Sequence, residues 1–394
     1  MALELEASEI KNHHKRVAYI AVSIGEALEL QSQELLELYC AASVHDIGAV
    51  KTVEKKCLLN VNVRLQNNHS CYKGYHLLKN VPHFENISKI ILHHQDCWSE
   101  RKETYSFDLL SDLIHVADLM VSTLTNTHIL HQHSEIMDKL NDAFGTVLRP
   151  DLKDVINEIG TRQSFWLDLM SPYIDKLTLE KLDKDSFEVN FTFEALRSLI
   201  QVYSKIIDMK CNFTYRHSHL VTNSVVQLGM LAGLSSDKVR RLELSGLMHD
   251  LGKISIPESI LRKSGPLTSD EFKIIQQHAY HTYHIIKNIP EFSDIARWAA
   301  FHHERLDGKG YPFRVGRADL DIGCRIVAVA DIFSALIEDR PYRSGLDRGQ
   351  IEATFIKIVK DNAVDAEIVH LLFENYDLFE YVKEFTEVLS NYES

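Results

Sequence analysis

At 394 residues the chain exceeds the size at which a single core keeps growing, so two domains are expected. A formal charge of −13 opposes binding to a nucleic-acid polymer or an anionic membrane, which needs a basic surface, while leaving small anionic ligands open. With 45% hydrophobic residues and only 16 Gly and 8 Pro, neither disorder nor a turn-rich sandwich fits, and a helix-rich globular chain remains.

The N-terminal stretch "MALELEASEIKNHHKR" lacks the basic-then-apolar order of a secretory signal. No apolar run reaches the ~20 residues that span a bilayer, so no membrane insertion and a cytoplasmic location are expected. The six cysteines, Cys40, Cys57, Cys71, Cys97, Cys211 and Cys324, form no C-x-x-C pair. Disulfides and a cysteine zinc site are therefore not expected. The 21 histidines occur without a low-complexity tract, and their abundance points to ligand chemistry.

Along the chain, "LQSQELLELYCAASVHDIG" (Leu30 to Gly48) recurs as "LSSDKVRRLELSGLMHDLG" (Leu234 to Gly252), at an offset of 204 residues that also lays His13 on His217. His45, Asp46 and Gly48 then fall on His249, Asp250 and Gly252. Farther on, identity matching at an offset of 209 puts His69 on His278 and His93-His94 on His302-His303, and Asp118 in "HVADLM" falls on Asp331 in "AVADIF". So many ligand-type residues in one order indicate a duplicated domain. The expected organisation is an N-terminal copy over 1–183 and a C-terminal copy over 184–394, joined through the charged stretch "LTLEKLDKDSFEVNF".

Both copies read as all-α. Leu244, Leu247, Met248 and Leu251 repeat at helical spacing. Thr268 and Glu271 form a capping box ahead of His278, and "ARWAAFHHE" and "CRIVAVADIFSALI" are further helices. A helical bundle with ligands projecting inward from several helices follows. An adjacent His-Asp pair in an apolar setting is costly unless partnered, and a metal removes that cost. Imidazoles mixed with carboxylates suit Fe, Mn, Zn, Ni or Co.

The C-terminal copy carries "RHSHLV", "HDLGKISIPESIL", "PLTSDEF", "HHERLDGKGYP" and "RIVAVADIFSALIEDRPYR" in one order. In these motifs it resembles the HD-GYP branch of the HD superfamily of metal-dependent phosphohydrolases. That resemblance implies two tandem HD-type helical bundles and a phosphodiesterase that hydrolyses a bacterial cyclic dinucleotide, cyclic di-GMP or the 3′,3′-linked GMP–AMP hybrid. It implies two divalent transition-metal ions in the catalytic domain, Fe or Mn ahead of Ni, Co or Zn, and attack on phosphorus by a hydroxide held between them.

Carried over residue by residue, His217, His249, Asp250 and Asp331 hold one metal, and Asp250, His278, His302 and His303 the other. Lys253 meets a phosphate oxygen, Arg340 and Arg343 are further phosphate-side cations, and Asp307, Gly308, Gly310, Tyr311 and Pro312 shape the nucleotide pocket. Phe213 stands where members with a third metal carry Glu, which favours a dinuclear centre and a linear dinucleotide product. In the N-terminal copy His13, His45, Asp46, His69, His93, His94 and Asp118 are the corresponding metal-ligand candidates. That copy has Ala49 in place of Lys253 and lacks a Gly-Tyr-Pro loop, which points to a regulatory role, with a homodimer contact or a signalling protein as its partner. Alternatives are a general nucleotide phosphohydrolase and a non-catalytic metal- or nucleotide-binding regulator.

Overall fold

A computed structural model describes residues 12–49, 69–100, 109–182, 191–211, 215–339 and 344–392. Two compact units divide between Ser198 and Leu199. The join expected at 183/184 lies outside the described residues.

The N-terminal unit runs α1 (His13–Ala27), α2 (Ser32–Val44), α3 (His69–Leu78), α4 (Glu85–His93), α5 (Leu109–Ser122), α6 (Ile129–Ala143), α7 (Lys153–Gly160), α8 (Gln163–Leu169) and α9 (Ile174–Lys181). Helix α10 (Phe193–Lys210) spans the division. The C-terminal unit continues with α11 (Tyr215–Leu231), α12 (Ser236–Met248), α13 (Glu258–Leu261), α14 (Ser269–Ile286), α15 (Ser293–Ala300), α16 (Ile322–Ile337), α17 (Arg348–Lys360), α18 (Ala366–Glu374) and α19 (Tyr376–Tyr392). Among the described residues no strand occurs beyond one isolated bridge, Phe144 to Leu148, as the all-α reading expects.

The two units share a frame. Helix α1 packs on α2 and α5, and α11 packs on α12 and α16. In the C-terminal unit Leu220, Val225, Leu242, Val329 and Phe333 close a continuous apolar core with Phe355 and Phe379. Phe333 is fully buried, and removing its ring by Phe333→Ala would cost about 3–5 kcal/mol. Local signals set the helix ends. Asp321 accepts from the Cys324 amide at 3.1 Å to start α16, and the Thr268–Glu271 capping box starts α14 with bonds of 3.2 and 2.7 Å.

One sequence expectation shifts. The apolar stripe through "LELSGLMHDLG" suggests a helix that includes the His-Asp pair, but α12 stops at Met248 and a 3-10 turn follows over Leu251–Ser255. His302 and His303 likewise lie just past the end of α15. Most of the ligand-type side chains thus sit where helices end, free to turn inward.

Candidate metal centre

Three histidines of the C-terminal unit are held in one way. Nδ1 of His249, His278 and His302 lies 2.7, 2.7 and 2.6 Å from the carbonyls of Gly246, Ile275 and Ala299, each three residues back. A carbonyl requires a donor, so Nδ1 carries the proton and Nε2 presents its lone pair to the interior. At His249 and His302 the same bond also satisfies a carbonyl that a helix end would leave orphaned.

The lone pairs of His249 and His278 meet at Asp250. Its Oδ2 lies 3.2 Å from Nε2 of His249 and its Oδ1 lies 3.5 Å from Nε2 of His278, so the two oxygens face different imidazoles. Asp331 Oδ1 lies 3.3 Å from Nε2 of His217 and 3.9 Å from Nε2 of His249. His278 and His302 approach to 3.4 Å between their Nε2 atoms, and the His303 ring lies 4.0 Å from that of His302. Two groups result, His217 with His249 and Asp331, and His278 with His302 and His303, each with donor atoms close enough to surround one metal ion. Asp250 lies between them.

The electrostatics agree with a site built for cations. Burial works against ionising Asp250, yet Lys253 and His249 hold its carboxyl well below the usual range. Asp331 is depressed in the same way, its burial outweighed by His217 and His302. Burial pushes His278 down to about 3 and His302 to about 4, and it lowers His303 as well, so these rings stay neutral and able to ligate. His217 moves the other way, to about 10, because Asp331 and Glu338 outweigh its burial.

A close backbone approach fixes the relation between the His-Asp turn and α14. A Cβ on Gly252 would stand 1.9 Å from the His278 carbonyl oxygen, so only glycine allows this contact. The Gly252 amide donates to Thr282 Oγ1 at 2.9 Å, and that hydroxyl donates to the His249 carbonyl at 3.2 Å. The turn carrying His249 and Asp250 is therefore registered against the helix carrying His278.

The loop after His303 is built with similar economy. Buried Glu304 accepts from the amides of Phe313 and Arg314 at 2.7 and 3.1 Å. A Cβ on Gly310 would meet the Glu304 Cα at 2.4 Å, and Gly308 has φ of 71°. Asp307 is taken up by Arg305, at 2.8 and 3.0 Å, and by the Lys309 amide, which makes it a brace for the loop. The Tyr311 ring lies 4.7 Å from that of His303, before a cis peptide to Pro312. Lys253 donates to Asp250 Oδ2 at 2.5 Å. Arg340, Arg343 and Phe213 lie outside the described residues.

Three residues with a part in the site escape a motif reading. Glu338 Oε2 lies 2.8 Å from Nδ1 of His217, Glu304 clamps the loop, and Asp208 on α10 accepts from Ser218 Oγ at 3.4 Å. Burial pushes the Asp208 carboxyl up to about 8, against the pull of His217. Glu338 follows Asp331 by seven residues, two helical turns along one face, which is the signal that could have found it.

Comparison with known proteins bears directly on these clusters. Models of the HD domain match residues 10–121 and 201–368. The chain belongs to the HD-domain family.

It is 28% identical over 376 residues to 3′3′-cGAMP-specific phosphodiesterase 1 of Vibrio cholerae serotype O1, covering 92% of this chain and 87% of that protein. To 3′3′-cGAMP-specific phosphodiesterase 3 of the same organism it is 23% identical, covering 88% and 86%. The cyclic di-GMP phosphodiesterase response regulator RpfG of Xanthomonas campestris is 40% identical over 133 residues, 33% of this chain and 34% of that protein. The crystal structure of the V. cholerae cyclic GMP-AMP phosphodiesterase V-cGAP3 superposes with a TM-score of 0.66 over 96% of this chain and 95% of that one, at 21% identity, and so shares the tandem fold.

In the N-terminal HD domain, His13 Nε2 lies 3.4 Å from Asp118 Oδ1, and His45 Nε2 lies 3.2 Å from Asp46 Oδ2 and 3.8 Å from Asp118 Oδ2. His45 Nδ1 lies 2.8 Å from the Ala42 carbonyl, as its counterpart His249 lies from Gly246.

The remaining expected ligands need a correction of one residue. His94, not His93, has Nδ1 on the carbonyl three residues back, at 2.7 Å from Ile91, and its ring meets that of His45 at 5.2 Å as His302 meets His249 at 5.1 Å. His94 is thus the counterpart of His302, and His93 turns aside to Asp96 at 2.8 Å. A Cβ on Gly48 would meet the Ser70 carbonyl at 2.0 Å, the position His278 holds against Gly252, while His69 is exposed. An offset of 208 therefore relates these segments, with Ser70 at the place of His278 and Gln95 at that of His303.

Proposed function

We propose that the C-terminal HD domain hydrolyses a 3′,3′-linked cyclic dinucleotide to a linear dinucleotide, with the GMP–AMP hybrid ahead of cyclic di-GMP. The observation that carries this reading is the complete donor set around Asp250, with Lys253 and the Gly-Tyr-Pro loop on the same centre. The substrate class is supported by the relatives, two of them named for 3′3′-cGAMP and aligned over most of their length.

The residues fit two divalent ions, because Asp250 turns one oxygen to each histidine group and the imidazoles have Nδ1 occupied and Nε2 directed inward. Such ions, when bound, supply an acidified water and neutralise charge at phosphorus. His217, His249 and Asp331 would hold one, and His278, His302 and His303 the other, with Asp250 common to both. Fe or Mn suits this mixed nitrogen and oxygen set. Lys253 keeps its charge, since Asp250 outweighs burial and raises it to about 12, and it offers that charge to a phosphate oxygen. Tyr311, packed on His303, walls the approach to the centre.

The N-terminal HD domain serves regulation in this reading, since Ala49 replaces the lysine. The deciding experiment incubates Mn- or Fe-loaded chain with cyclic di-GMP, cyclic di-AMP and the hybrid side by side and identifies products by chromatography. Linear dinucleotide formed fastest from the hybrid is expected. Cleavage of none of the three would favour a binding regulator instead.

A further inference from the structure

The two HD domains are alike in one half of their ligand arrangement and unlike in the other. On the side of the first histidine the distances repeat closely. His13 to Asp118 is 3.4 Å and His217 to Asp331 is 3.3 Å; His45 to Asp46 and His249 to Asp250 are both 3.2 Å; His45 to Asp118 is 3.8 Å and His249 to Asp331 is 3.9 Å. His13, His45 and Asp46 bring one donor atom each into a single small group, as do His45, His94 and Asp118.

On the other side two of three imidazoles are gone. Ser70 occupies the place of His278, and Gln95 that of His303, so of the three imidazoles only His94 has a counterpart here, and its donor atom groups with those of His45 and Asp118. A hydroxyl and a carboxamide are neutral, weak donors toward a transition metal, whereas imidazole is a strong one. Gln95 is also 1% exposed, and neither atom of its amide has a hydrogen-bond partner among the described residues. A carboxamide thus stands where the C-terminal domain has the His303 imidazole.

We propose that the N-terminal HD domain holds a single divalent transition-metal ion on His13, His45, Asp46 and Asp118, its second position abolished by Ser70 and Gln95. A lone ion lacks the paired arrangement that clamps both the attacking and leaving oxygens of a phosphodiester. The N-terminal metal is therefore structural or regulatory, and metal occupancy differs between the two halves of one chain. This does not depend on which dinucleotide the C-terminal domain cleaves.

The test is metal content of the full chain after loading with Mn(II) and removal of the free ion. His45→Ala with Asp46→Ala should lower uptake by about one equivalent relative to the unaltered chain, and a loss of two or of none overturns the proposal. Conversely, His249→Ala with Asp250→Ala and His278→Ala should leave about one equivalent with the paramagnetic resonance spectrum of an isolated ion. A spin-coupled pair in that variant, or no bound Mn, would sink the idea. Adding Ser70→His and Gln95→His to it should restore one equivalent. Failure to gain metal in a chain that still unfolds cooperatively would show that these two residues are not what removed the second site. Because none of these readouts is turnover, a failed turnover assay and a failed metal count cannot be mistaken for one another.

Discussion

Glu338 Oε2 lies 2.8 Å from Nδ1 of His217, so this imidazole, unlike those of His249, His278 and His302, is oriented by a carboxylate in place of a backbone carbonyl. Glu338 is buried, which makes the pair a fixed feature of the centre. A carboxylate behind a metal-ligating imidazole fixes its tautomer and raises its basicity. Glu338→Ala should weaken metal binding by about 10–100-fold, read by competition with a chelator, while Glu338→Gln, which keeps an acceptor, should lose less. Equal losses in the two variants would mean that Glu338 only fills space.

The contact between Gly252 and the His278 carbonyl predicts a steric effect. A Cβ 1.9 Å from a backbone oxygen cannot be accommodated by a side-chain rotation, so the turn must lift from α14. Gly252→Ala should destabilise the C-terminal domain by about 1–3 kcal/mol or more and lower turnover as Asp250 moves from His278. Gly48→Ala, with its Cβ 2.0 Å from the Ser70 carbonyl, should cost similar stability in the N-terminal domain and leave turnover near normal. Denaturant unfolding that resolves the two transitions distinguishes these outcomes.

The helical architecture and the C-terminal ligands are legible in sequence because each is written in local patterns, apolar spacing for the helices and recurring His-Asp motifs for the donors. The register of the N-terminal repeat is not legible in that way. Matching His93-His94 to His302-His303 maximises identity, yet the true correspondence pairs "HQD" from His94 with "HHE" from His302. The acid at the third position, Asp96 opposite Glu304, is the faint signal for it. Two histidines in a row offer two nearly equal registers, and only the backbone bond of His94 and the close approach at Gly48 choose between them. Glu338 and Asp208 were hidden for another reason, since their parts depend on tertiary contact with His217 and Ser218 on a different helix.

Stability of the metal-free C-terminal domain should peak near pH 6.5. Burial lowers His278 to about 3 and His302 to about 4, so between those values and the unfolded value of about 6.5 the unfolded chain binds more protons. Stability then falls as the solution is acidified through that window, by up to about 1.4 kcal/mol per pH unit for each group. His217 is raised to about 10 by Asp331 and Glu338 despite burial, so its contribution is complete below about 6.5 and is lost as pH climbs toward 10. Urea midpoints of chelator-treated protein at pH 5, 6.5 and 8.5 should describe this maximum. Metal should flatten the alkaline side, because the ion takes the place of the His217 proton. A midpoint that rises steadily from pH 5 to 8.5 without metal would contradict the assignment.

Lys253 makes the sharpest separation between binding metal and using it. It bonds Asp250 at 2.5 Å, keeps its charge, and has Ala49 as its N-terminal counterpart. Lys253→Met retains most of the apolar stem while deleting the cation, so the donor set around Asp250 remains intact. Turnover should fall by about 10²–10³-fold, the scale for losing one group aimed at developing charge, with Mn content unchanged. Lys253→Arg should recover only part of the rate, since a planar guanidinium replaces a compact point charge. If Lys253→Met instead strips metal from the C-terminal centre, the lysine acts by holding Asp250 in place and not on the phosphate.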